Sequence, residues 1–141
     1  MASRIGILDR GTLVQVGTPQ EIYERPVNAY VAARLGSPPI NLLPIDALPA
    51  IDAPHAATTV GARTEHIELT PSEAGLAEVV MVEHLGSENF LHVRAHGQRL
   101  VTLAPANREW RPGHRAQLAL RRPLYFDASG RTLAPVHQEA R

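Results

Sequence analysis

The chain has 141 residues, 44% of them hydrophobic, with twelve prolines and ten glycines: enough for one ordinary domain with an appendage, too few for two full domains. Fourteen basic residues, all arginine, balance fourteen acidic ones, so no basic field points to nucleic acid and no acidic field to a cationic partner. Cysteine is absent, which excludes disulfides and thiolate chemistry; no apolar run approaches the ~18 residues of a membrane helix and no export signal opens the chain, so a soluble, intracellular protein is expected.

The opening reads as a hairpin: Arg4–Leu8, a turn at Asp9-Arg10-Gly11, then Thr12–Gly17. Its apolar face is expected to be Ile5, Ile7, Val14 and Val16, and to need either the rest of the chain or another chain, because a lone two-stranded hairpin is marginal. The segment is therefore expected to be mobile or to form an intermolecular contact. A helix start follows, with Thr18 as cap, Pro19 in the first helical position and Glu21 completing a capping box. That helix should end near Arg25-Pro26. Asn28 can cap a second helix, Ala29 to Leu35, stopped by Gly36.

From Ser37-Pro38-Pro39 the helical period disappears, and short β-branched runs alternate with turn residues. Strands are expected near Asn41–Leu48, Thr58–Leu69, Leu76–Leu85, Asn89–Ala95, Arg99–Leu103, Ala116–Arg121 and Arg131–Pro135. Such spacing predicts a small barrel or sandwich. His137–Arg141 reads as a frayed tail.

Several strings resemble one family. Arg4–Gly11, Gln15-Val16-Gly17-Thr18-Pro19, Glu21-Ile22-Tyr23, Pro26 and Tyr30-Val31-Ala32 are similar to the end of the nucleotide-binding domain in ATPase subunits of bacterial sugar importers, the maltose and glycerol-3-phosphate type of ABC protein. Gly36-Ser37-Pro38-Pro39-Ile40-Asn41-Leu42-Leu43 resembles the family's linker to a C-terminal OB-type regulatory domain, TOBE. Gly61-Ala62-Arg63-Thr64-Glu65-His66 resembles its Gly-x-Arg-Pro-Glu-His string, with Thr64 in place of proline. Val82–Glu88, Arg111–His114 and Leu124–Asp127 follow in family order.

The resemblance implies a mainly β fold: an OB-fold-like Greek-key barrel (TOBE) over residues 37–136, preceded by a nucleotide-binding-domain remnant (residues 1–36) made of a β-hairpin and two short helices. It implies regulation and dimerisation of an importer ATPase, with a second ATPase subunit, permease subunits and a regulatory protein or small effector as partners. The location implied is cytoplasmic, peripheral to the inner membrane. The phosphate-binding loop, Gly-x-x-x-x-Gly-Lys-Ser/Thr, is absent and cannot be written without lysine. ATP and Mg²⁺ therefore belong to a full-length parent, and no catalytic, cofactor or metal residue is expected in this chain. Residues expected to communicate with partners are Gly36, Ser37, Pro38 and Asn41 at the hinge, Arg63, Glu65 and His66 in one turn, and Gly86, Ser87 and Glu88 in another.

Rival chemistries are weaker. His92, Arg94 and His96 should share a strand face, but a guanidinium between two imidazoles repels a cation, and strand residues four apart lie roughly 13 Å apart. A triad of Ser87, His84 and Glu83 lacks a nucleophile elbow and falls on a hairpin turn. Glu65 and Glu68 read as an exposed strand's carboxylates. The aromatics are too few for a nucleic-acid stacking groove. A stand-alone small-ligand or oxyanion sensor is the alternative function, with Gly61-Ala62-Arg63 or Gly86-Ser87 as the anion site.

Overall fold

In the computed structural model, residues 3–48 and 52–134 are described. The expected tail at 137–141, and the end of the expected domain and of its last strand, lie outside them. The chain is mainly β, with two short helices before the β domain.

Strand β1 (Ile5–Asp9) pairs antiparallel with β2 (Thr12–Gly17) as a separate two-stranded sheet. The register places Gly6 opposite Val16, Ile7 opposite Gln15 and Leu8 opposite Leu13, with an irregularity between Ile7 and Leu8. That extra residue changes the expected face, because the side-chain period of a strand is two. Ile5, Ile7 and Val14 are half-buried, whereas Val16 stands outside with Leu8 and Leu13, at 44%, 58% and 56% exposure.

Helix α1 (Pro19–Glu24) begins as its sequence dictates: Thr18 accepts from the Glu21 amide and the Glu21 carboxylate accepts from the Thr18 amide. Helix α2 (Ala29–Ala32) is capped by Asn28, whose side chain accepts from Val31 N at 2.8 Å. It is shorter than expected, its last turn loosening before Gly36.

Two larger antiparallel sheets follow. Strands β3 (Asn41–Pro44), β4 (Thr59–Ala62), β10 (Leu124–Phe126) and β11 (Thr132–Leu133) form one, in the order β11-β10-β4-β3. The other comprises β5 (Ile67–Pro71), β6 (Ala77–His84), β7 (Glu88–Ala95), β8 (Gln98–Pro105) and β9 (Arg115–Leu120), in the order β5-β9-β6-β7-β8. Strand β9 thus returns between β5 and β6, the long-connection pattern of a Greek key. The run Thr58–Leu69, expected as one strand, is broken by a 3-10 turn at Thr64–His66 into β4 and β5.

Alternate residues of β7 and β8 point inward, and Leu91, Val93 and Leu100 are buried with Val60, Val79 and Ala116 in the main core. The five-stranded sheet curls until its edges meet: the buried Thr102 hydroxyl on β8 donates toward Ile67 O at 3.0 Å and lies 3.3 Å from Thr64 O. Asn41 joins the two large sheets by donating to Ala62 O and Val101 O, both at 2.9 Å, and accepting from Val101 N. A second buried cluster, Ala32, Ile40 and Phe126, sets α2 against β10.

Candidate interdomain site

The carbonyl groups at the end of a helix have no intrahelical partner. Those at the ends of α1 and α2 converge on one side chain. Arg63, at the mouth of the 3-10 turn, donates from Nη2 to Tyr23 O at 2.9 Å and from Nη1 to Ala32 O and Leu35 O, both at 3.0 Å. Its guanidinium carbon lies 3.9 Å from the centre of the Tyr23 ring. The residue is only 4% exposed. Burial pulls its pKa below the usual arginine value, yet arginine keeps its proton in proteins. A buried cation is thus held by three carbonyl oxygens and an aromatic face. Its Nε is buried without a hydrogen-bond partner.

Tyr23 closes the arrangement by donating its hydroxyl to Glu65 Oε2 at 2.5 Å. Burial and then this bond push the Tyr23 pKa up to about 12. For Glu65, burial acts to raise the pKa, but the Tyr23 hydroxyl and neighbouring hydrogen bonds outweigh it and hold the carboxyl below its ordinary value. His66 is kept below the usual imidazole range, mainly by burial, and its Nδ1 is buried without a partner. Gly36 passes close over the pair with φ +101°; a Cβ there would sit 3.3 Å from the Tyr23 ring and 3.5 Å from Arg63 Nη1. Both its backbone angle and this proximity suit glycine.

A second clasp lies at the other end of α2. Ala29 N donates to Gly130 O, Thr132 N to Val27 O and the Thr132 hydroxyl to Pro26 O. The hairpin in turn is tied to the helices: Gln15 donates to Arg25 O and accepts from Val27 N, and the Tyr30 hydroxyl donates to Leu8 O.

The structure therefore brings Arg63, Glu65 and Gly36 together. Ser37 and Pro38, joined by a cis peptide bond, lead from Gly36 to β3, where Asn41 bonds the backbone next to Arg63. Gly86, Ser87 and Glu88 do not join the cluster. They form the exposed β6–β7 turn, closed by Leu85 N to Glu88 O and touched by Ala106 N on Ser87 O. Tyr23 is the contact that reading by residue type passed over; its position in the last turn of a helix expected to end near Arg25-Pro26 was the available signal.

The histidine reading needs one correction: His96 has left the strand and sits with Gly97 at positive φ in the β7–β8 turn, while His92 pairs with Glu83 at 2.6 Å. His84 meets Asn89, not Ser87. As an anion ligand Arg63 is poorly placed, since both terminal nitrogens face carbonyls, and Gly61 lies against Ile40 and Phe126.

This turn lies inside a recognisable sequence unit, because residues 60–123 match the TOBE domain model. The chain contains a TOBE domain. Around it, the chain is related over most of its length to ATP-binding proteins of ABC importers. It is 36% identical, over 86% of its own length, to an uncharacterized ABC transporter ATP-binding protein, y4oS, of Sinorhizobium fredii. It is 39% identical over 77% of its length to the sn-glycerol-3-phosphate import ATP-binding protein UgpC 3 of Rhizobium johnstonii, and 36% identical over 84% to UgpC of Cereibacter sphaeroides. It spans 38%, 34% and 38% of those relatives. In the TOBE domain, Arg63 stands just after β4, and its guanidinium bonds the helices that precede the domain. Among the described residues, no helix is long and apolar enough to cross a membrane.

Proposed function

We propose that the chain is the C-terminal regulatory and dimerisation portion of an ABC importer ATPase subunit serving carbohydrate or glycerol-3-phosphate uptake. In this reading residues 1–36 belong to the nucleotide-binding domain, and the TOBE domain pairs with its copy in a second ATPase subunit. ATP and Mg²⁺ would be held by the catalytic part of the parent, which contacts the permease subunits on the cytoplasmic face of the inner membrane. A regulatory protein or small effector on the TOBE domain would bias the open–closed equilibrium, which requires contacts that differ between the two states.

The observation that carries this reading is the Arg63 contact. One TOBE side chain terminates both helices that precede the domain, so a displacement of either part must be felt by the other. The bare outer face of the hairpin, with Leu8, Leu13 and Val16 exposed, is consistent with further protein packing there.

The test uses the full-length subunit reconstituted with its permease. Arg63→Ala is expected to leave the β domain folded and to weaken the dependence of ATP hydrolysis on transported solute. Unchanged transport, regulation and dimerisation would overturn the assignment. An immunoblot of source-cell membranes should show a band much larger than the 141-residue chain; a co-migrating band alone would favour a free sensor module.

A further inference from the structure

A cavity of about 440 Å³ opens at the other end of β5 from Arg63's turn, between the β5–β6 connection and the loop that leads into β9. Its lining is chiefly apolar and includes Pro71 and Trp110. Trp110 is 6% exposed and anchored in the main core, so it gives the cavity a fixed aromatic wall. The frame is pinned by backbone bonds: Ser72 N donates to Arg115 O, Gly113 N to Val79 O, and Val79 N to His114 O. Pockets of this size and character hold small molecules oriented by a few polar groups.

The polar groups at this cavity have a distinct charge pattern. Glu109 is neutralised by Arg111, at 2.7 and 3.1 Å. Among the described residues, Glu73 and Arg115 make no ion pair, although both line the cavity. Arg115 is aimed by its Nε, which donates to Gly75 O at 3.0 Å, leaving its terminal nitrogens without a partner among the described residues. Glu78 stands opposite Arg115 in the β6–β9 ladder but forms no ion pair with it. His114 accepts from Arg111 N through Nδ1, so the neutral ring carries its proton on Nε2, a further donor.

We infer that this cavity binds a small zwitterion with an apolar body, an α-amino acid with a hydrocarbon side chain. Its carboxylate meets Arg115 and the His114 donor, its ammonium meets Glu73, and its side chain rests against Trp110 and Pro71. A dianion would be opposed by Glu73, and a neutral polyol would leave both charges unused. The inference does not depend on the transport reading.

Trp110 is the sole tryptophan, so its fluorescence in the 141-residue chain reports on the cavity directly. L-Leucine is the probe, with isoamylamine, which lacks the carboxylate, and 4-methylpentanoate, which lacks the ammonium, as controls. Leucine should give a saturable change, and each control should need at least about tenfold more, the size expected for losing one charge-assisted hydrogen bond. Glu73→Gln should weaken leucine by about tenfold and leave 4-methylpentanoate unaffected. Arg115→Gln should do the reverse, weakening leucine and 4-methylpentanoate but not isoamylamine, with circular dichroism confirming the fold. No saturable response to leucine, equal responses to all three compounds, or leucine binding indifferent to Glu73→Gln would each overturn the inference.

Discussion

The five-stranded sheet and the N-terminal hairpin are both antiparallel ribbons, yet they are held by different physics. In the first, Leu91, Val93 and Leu100 are buried completely or nearly so, and the sheet closes on itself through Thr102. In the second, one face is half-buried against the helices, the other carries Leu8, Leu13 and Val16 in the open, and attachment depends on hydrogen bonds from Gln15 and Tyr30. The helices sit between these extremes. Ala32 packs against Phe126, while their carbonyl ends are secured by Arg63. Hydrophobic burial therefore stabilises the TOBE domain, whereas polar contacts set how the preceding segment is carried on it.

The sharpest way to break that contrast is to cut into each region in turn. Leu91→Ala should lower global stability by about 3–4 kcal/mol, because a fully buried leucine leaves both a lost transfer energy and a cavity. Chemical denaturation measures this as a shift of midpoint. Arg63→Ala should cost about 2–4 kcal/mol, felt mainly in residues 18–36, since it strips three carbonyls of a charged donor. A comparable loss in the five-stranded sheet would mean that the two regions are not separable.

A smaller effect, about 1 kcal/mol, is expected for Tyr23→Phe, which removes the bond to Glu65. Its pH dependence has a definite sign. The folded Glu65 carboxyl lies below its ordinary value, so its contribution is complete above about pH 4.5 and fades as pH falls through the depressed pKa. The folded Tyr23 hydroxyl titrates near 12, so its contribution is complete below about pH 10 and is lost as pH rises toward 12. The difference between wild type and Tyr23→Phe should therefore be flat across neutrality and shrink at both ends, as thermal melts across pH would record. The smallest effect belongs to Leu13→Ser on the hairpin's outer face, within about 0.5 kcal/mol for the isolated chain. In a longer ATPase subunit of the kind proposed, a larger loss would mark that face as covered.

The local signals were the most legible. Thr18, Pro19 and Glu21 specify the start of α1 without tertiary help, and the alternation of apolar residues in β7 and β8 marks their inner faces. Positions 61–66 stood out as a family string, and the structure makes Arg63 a neighbour of Gly36 and joins Glu65 to Tyr23. What the sequence withheld is non-local. The irregularity between Ile7 and Leu8 moves Val16 to the outer face of the hairpin, and no residue there announces it. The Tyr23–Arg63 contact joins positions 40 apart in the chain. The insertion of β9 between β5 and β6 depends on the closed core as a whole rather than on any turn residue. Gly86–Glu88 illustrates the converse, a conspicuous motif whose bonds serve its own hairpin and a neighbouring loop.

Amide hydrogen exchange of residues 18–35, compared between wild type and Arg63→Ala, tests most directly whether a single guanidinium fastens this segment to the TOBE domain. Protection in this segment should fall roughly 30- to 900-fold, the equivalent of about 2–4 kcal/mol, while amides of β7 and β8 keep theirs. Equal protection in the two proteins would contradict the account and assign the attachment to the Phe126 cluster and the Thr132 clasp instead.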